Sequence, residues 1–295
     1  MNRNSQLALM LVAAFPLMMN TSCSEDKPVE EVEVEVTTED TTKDETQKFY
    51  QIPAPDEMFG FIKKSGLTYN KALINSPQKQ SEYTSPLEQT MIFGVYSADL
   101  AYTAAYEEFN ESIKYFATIQ KLAENIGISG AFNEELMNNI KNNLDKPEQL
   151  LENSNDSYFS VVDYLEENQQ GDKLGIIAAS GWLETVYIVA NSIDYNKNDA
   201  ALQRLADQKL TLDNLLMYME NHQDNNDVAA VISMLKELET AYGEVGESEE
   251  SGSGITLKKT DGKMVLGGGS SPKITQTQFE AIKSKVTALR TKIVK

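Results

Sequence analysis

The sequence predicts an all-α body, either a multi-helix bundle or a short helical-repeat array, with a small β-hairpin before its C-terminal helix. Three observations carry this. Apolar residues recur at every third or fourth position in one segment after another, the period of an amphipathic helix. Short Asn- and Asp-rich turns separate the segments, which suits antiparallel helical neighbours. One segment, residues 174–193, is apolar almost all round, as a helix enclosed by others must be. With one cysteine in 295 residues, no disulfide forms within the chain, and a packed core has to hold it.

Taken in order, Asp56 suits the N-cap of a first short helix running through Lys64. Ser85, Pro86 and Glu88 then read as N-cap, first-turn proline and capping box. Leu87, Met91, Val95, Ala98, Tyr102 and Ala105 follow at helical spacing. The next helix places Ile113, Phe116, Ile119, Leu122 and Ile126 on one face, with Gly127 as its stop. Asn133 caps a fourth segment, and a fifth runs from Pro147 to about Gln170, stopping at Gly171. The apolar segment comes next; Glu184 at its middle argues for a buried core helix rather than a membrane span. "NDAALQRLADQKLTLDNLLMYMENH" and "DVAAVISMLKELETAY" complete the run. An offset of 85 aligns Asp99–Leu100–Ala101–Tyr102 with Glu184–Thr185–Val186–Tyr187, the basis for a repeat of helical triplets over residues 86–143 and 171–242.

Composition changes after Tyr242. "GEVGESEESGSG" reads as a flexible acidic loop, and two β-prone runs around Asp261–Gly262 give the hairpin signal. A final helix starts at Thr275 or Thr277, with Phe279, Ile282, Val286, Leu289 and Ile293 on one face. It is basic, carrying Lys283, Lys285, Arg290, Lys292 and Lys295, and is expected to pack on the acidic body. The boundaries are therefore 1–22, 23–50, a helical domain at 51–242, a loop with the hairpin at 243–274, and the C-terminal helix at 275–295.

The first two stretches are of another kind. Arg3 precedes a charge-free apolar run from Leu7 to Met19, too short for a transmembrane helix of about 20 residues and suited to a signal peptide ending at residue 22. Cys23 follows at once, then an acidic, Val- and Thr-rich tract to residue 50, too polar to repay the entropy of ordering. Glu25 and Asp26 beside Cys23 do not favour a reactive thiolate. A signal peptide followed by cysteine resembles the lipobox of bacterial lipoproteins. Thr21 and Ser22 fit it, while Asn20 stands where that family prefers Leu. The resemblance implies that Cys23 is lipid-modified, becomes the mature N-terminus and anchors the chain to a membrane. Acidic residues close behind the cysteine resemble the surface-export signal of Bacteroidota lipoproteins, which implies the outer membrane and exposure at the cell surface.

The formal net charge is −19, and loss of Arg3 on cleavage makes it more negative. Such a surface repels nucleic acid and anionic lipid headgroups. His222 is the only histidine, so no two-histidine zinc site exists. "GGGSS" at Gly267–Ser271 lacks the G-K-[ST] of a phosphate loop. "DYNKNDA" starts like a calcium loop but has Asp199 at the sixth position and Leu205 at the twelfth. No catalytic residue, metal or cofactor is assigned.

One constellation remains. Tyr96, Asp99, Tyr102 and Tyr106 share a helical face, and Glu184 lies near Trp182 and Tyr187 in the apolar helix. Tyr96, Asp99, Tyr102, Trp182 and Glu184 are candidates to line a ligand pocket; the same residues also suit a structural network of a buried acid and hydroxyls. The expected function is that of a lipid-anchored outer-membrane binding or scaffold protein, not an enzyme, with a protein or peptide partner and no nucleic acid. The alternatives are a small-ligand binder using the Asp/Tyr/Glu pocket, and a hydrolase without a recognisable motif.

Overall fold

The computed structural model describes residues 52–143, 146, 149–243, 245, 256–260, 263–267 and 274–295. The stretches read as a signal peptide and an acidic tether, with Cys23 between them, lie outside the described residues, as does most of the 243–255 stretch.

Among the described residues, ten helices make up the body: α1 (Pro55–Lys64), α2 (Pro86–Ala105), α3 (Phe109–Asn125), α4 (Glu134–Asn143), α5 (Leu150–Glu167), α6 (Gly171–Ser192), α7 (Asp199–Ala206), α8 (Gln208–Glu220), α9 (Asn226–Tyr242) and α10 (Gln276–Ile293). The all-α class holds, but the fold-class expectation needs a correction. The β-hairpin expected before the last helix is not an element of the helical body. The segments Thr256–Thr260 and Lys263–Gly267 pair only with each other, in a sheet of two strands. Such a ribbon is marginal in water without a third strand or a hydrophobic partner, and it contributes no layer to the fold.

Residues Lys48–Lys295 form one compact unit. Its axis is the pair α2 and α6, which share the most extensive interface. They touch at glycine. A Cβ on Gly94 would lie 2.2 Å from the Ile177 carbonyl oxygen and 2.2 Å from Ser180 Oγ, and one on Gly181 would lie 3.1 Å from the Gly94 carbonyl oxygen. Gly94 meets residues 177–181, and five residues on Asp99 meets Glu184, so the two helices run in the same direction. Around them pack α1, α3 and α5 on one side and α8, α9 and α10 on the other. Contacts of α1 with α6 and of α10 with α2 join elements far apart in sequence. A stacked array confines contacts to neighbours, so the body is a bundle around a central pair.

Helix α6 is long and apolar enough to span a membrane by composition, yet 89% of its apolar window is buried inside the protein. The capping box of Ser85 and Glu88 opens α2. Thr275, not Thr277, caps α10, through a second box with Gln278. Several boundaries differ from the sequence reading. Ala54, not Asp56, caps α1, because Pro55 already suits the first helical position and Asp56 falls in the first turn; α5 begins at Leu150, not Pro147. Gly171 opens α6 instead of closing α5; Gln169 takes the left-handed turn, at φ 55°, and Gly171 lies where a Cβ would strike the His222 ring at 2.6 Å. The single helix expected after Asn198 is two, α7 and α8, meeting at Asp207.

Candidate functional site

The candidate residues divide between two places. Asp99 on α2 and Glu184 on α6 face each other across the central interface, both 0% exposed. Glu184 is held by Arg290 of α10, whose Nε and one terminal nitrogen each donate to a carboxylate oxygen at 2.7 Å. The same guanidinium donates to the Leu73 carbonyl (3.0 Å) and lies 4.2 Å from the centre of the Tyr187 ring. Asp99 Oδ2 accepts from the Asn75 backbone N–H at 3.1 Å. No donor reaches its Oδ1, which makes a bare carboxylate costly here. Burial, and then the charge of Glu184, push the Asp99 carboxyl well above its ordinary value, against the opposing pull of Arg290. Burial and the neighbouring carboxylate thus favour the neutral form of Asp99, while the Glu184 carboxyl, itself raised by burial, is held back by Arg290.

The tyrosine face does something else. Between α1 and α2 runs the irregular segment 65–85, with short 3-10 turns at Lys71–Leu73 and Pro77–Glu82. Tyr96, Tyr106 and Tyr115 donate to its carbonyls at Ser76 (2.9 Å), Leu67 (2.8 Å) and Asn75 (2.7 Å). Tyr102 Oη accepts from the Asn70 N–H at 2.9 Å. Burial raises the pKa of each of these phenols, keeping them protonated. The hydroxyls therefore pin a loop whose backbone has few partners of its own, and that loop roofs the acid pair. Tyr96, Asp99, Tyr102 and Glu184 form a cluster in which each residue is 0% exposed; the glycosidase arrangement of two accessible carboxylates is not present there.

Trp182 lies elsewhere, on the floor of an open groove of about 740 Å³ formed by the Ile52–Pro55 segment, α1, α5, α6, α7 and α8. Met58 and Thr185 share the floor. Trp182 is 3% exposed, and its indole N–H donates to Gln208 Oε1 at 2.9 Å. Tyr158 fixes one wall by donating to the Pro53 carbonyl (2.9 Å). Two apolar side chains stand out from the rims: Phe159 of α5, 43% exposed, and Leu210 of α8, 69% exposed. The charged rim residues are Glu57, Asp163, Glu166 and Asp207, with Arg204 the single cation. Arg204 lies 3.8 Å from Glu57 and 5.7 Å from the centre of the Phe61 ring.

Sequence reasoning missed Arg290 and the groove. The chain has three arginines, and the two in the folded part are Arg204, at the groove, and Arg290, at the acid pair. That scarcity was the available signal, since arginine suits bidentate and stacked contacts that lysine does not. Among the described residues no group of three or more His, Cys, Asp or Glu side chains is placed to hold a metal ion. No family model matches the chain, and neither a curated protein nor a solved structure matches it.

Proposed function

We propose that this chain is a lipid-anchored binding protein of the outer membrane, attached through Cys23 and working through the groove over Trp182. The observation that carries the binding reading is the pairing of Phe159 and Leu210 with an open cleft of about 740 Å³. That volume lies within the 300–1,000 Å³ typical of ligand sites, and hydrophobic side chains are held out on its rim. The sealed state of Asp99 and Glu184 favours a binding protein over the hydrolase alternative, since neither carboxyl can reach a substrate. The anchor rests on the signal peptide and Cys23.

Each half has its own experiment. Mass spectrometry of the mature N-terminus, with membrane fractionation of wild type and Cys23→Ala, tests the anchor. Acylated Cys23 and release of the variant into the soluble fraction are expected; an unmodified N-terminus overturns it. The groove is tested with Trp182 emission, since the chain has one tryptophan. A panel of acidic, neutral and basic apolar peptides is titrated, and a ligand whose emission change is lost on Leu210→Ser is expected. If no peptide changes the emission, the groove reading fails.

A further inference from the structure

We infer that the groove's partner is a basic amphipathic peptide segment, with apolar side chains seated over Trp182 between Phe159 and Leu210 and with lysine or arginine facing the rim. This deepens the groove reading above and rests on it.

The argument is one of shape and charge together. On α5, Phe159, Asp163 and Glu166 follow at spacings of four and three, so an apolar anchor and two acids point from one helical face. Asp163 and Glu166 are both exposed, and among the described residues neither has a salt-bridge partner. The opposite rim repeats the pattern on a second helix: Asp207 lies one turn before Leu210, and Thr211 and Asn214 continue the row. Each wall thus carries a hydrophobic side chain near an acid: two carboxylates on α5, one at the start of α8. The only rim cation, Arg204, already faces Glu57 and Phe61.

A partner that buries apolar groups there must bring cations to the rim or leave these acids facing a low-dielectric contact. An acidic segment meets like charge on both walls, and this applies to the chain's own 24–48 tract, which carries far more acids than lysines. An anionic membrane surface is disfavoured for the same reason. Polar side chains that could meet a peptide backbone line the same groove: Thr185 on its floor, and Thr211 and Asn214 along the α8 wall. This combination of apolar anchors and complementary charge is how grooves select amphipathic helices and peptides.

The test uses the full mature chain and three synthetic peptides of equal length: an amphipathic Lys/Leu peptide, its Glu/Leu counterpart, and a Lys/Ser peptide without apolar groups. Binding is read by Trp182 emission and by calorimetry. The Lys/Leu peptide is expected to bind about tenfold or more tighter than either other peptide, with affinity falling as salt rises. Asp163→Lys/Glu166→Lys should weaken it at least about tenfold. Asp224→Lys/Glu239→Lys, an equal charge change at exposed positions outside the groove, should leave it within about twofold. Equal loss in both double variants would show general attraction to an acidic protein and overturn the inference. Tight Glu/Leu binding that is lost on Leu210→Ser overturns the basic partner and leaves the groove reading standing. Silence from all three peptides sinks both.

Discussion

Asp99 and Glu184 show how two acids can share one buried place. A two-pronged arginine favours the charged form of Glu184, whereas Asp99 has only the Asn75 N–H on one oxygen and is pushed toward its neutral form by burial and by Glu184. A carboxyl whose folded pKa lies above its unfolded value, about 3.9 for Asp, stabilises the fold most in acid. That contribution is lost as pH rises through the folded value. Asp99→Asn keeps a donor toward Glu184 and an acceptor for the Asn75 N–H without needing a proton. Its stability relative to wild type should therefore rise with pH, as urea melts from pH 4 to 9 would measure; parallel curves would place the proton elsewhere. Glu184→Gln leaves Arg290 facing a neutral amide in a buried site, and a loss of about 3–5 kcal/mol is expected. Arg290→Lys keeps charge but not the fork, and should lose part of that stability; an unchanged melt would show that the bidentate geometry contributes nothing.

At the scale of elements, the central pair depends on the absence of a side chain. Gly94→Ala puts a Cβ against backbone of α6, which cannot move aside as a flexible side chain does. The helices must separate, at an expected cost of about 3 kcal/mol, the upper part of the overpacking range. Gly130→Ala is the useful contrast, because its Cβ would meet the ring of Tyr164, which can turn; thermal melts of the two should differ. Much of this level was legible beforehand. Capping chemistry fixed the start of α2 and left that of α10 between Thr275 and Thr277, and the five apolar residues read from α10 are the five it buries. What could not be read was orientation. The stripe read on α3 included Ile113 and Phe116, whereas the helix buries Ser112 and Tyr115, because Tyr115 has a carbonyl to reach in the 65–85 segment. A periodic pattern names a face to within a residue or two; a long-range hydrogen bond selects among them. The groove was illegible for the same reason, since its walls come from helices separated by some forty residues.

Within the unit Lys48–Lys295, α10 closes onto the segment that leads into α2. Arg290 reaches Leu73, the Lys295 N–H donates to Tyr83 Oη at 3.2 Å, and Lys295 pairs with Glu88 at 2.7 Å. If a protease site is inserted within residues 246–255 and cut, the two pieces should stay together in gel filtration, held by the buried face of α10 and the Arg290 fork. The same cut in an Arg290→Met variant should release the smaller piece at lower denaturant. Co-elution unaffected by that substitution would assign the closure to apolar contact alone. The distance in sequence also has a consequence for how the chain comes to be folded. A polypeptide assembled from its N-terminal side can build α1 through α9, but Glu184 then has no cation, and the carbonyl of Leu73 lacks its guanidinium donor. A chain ending before α10 is therefore expected to unfold at lower denaturant than the full chain, because a buried carboxyl and a carbonyl lose the one guanidinium that serves both.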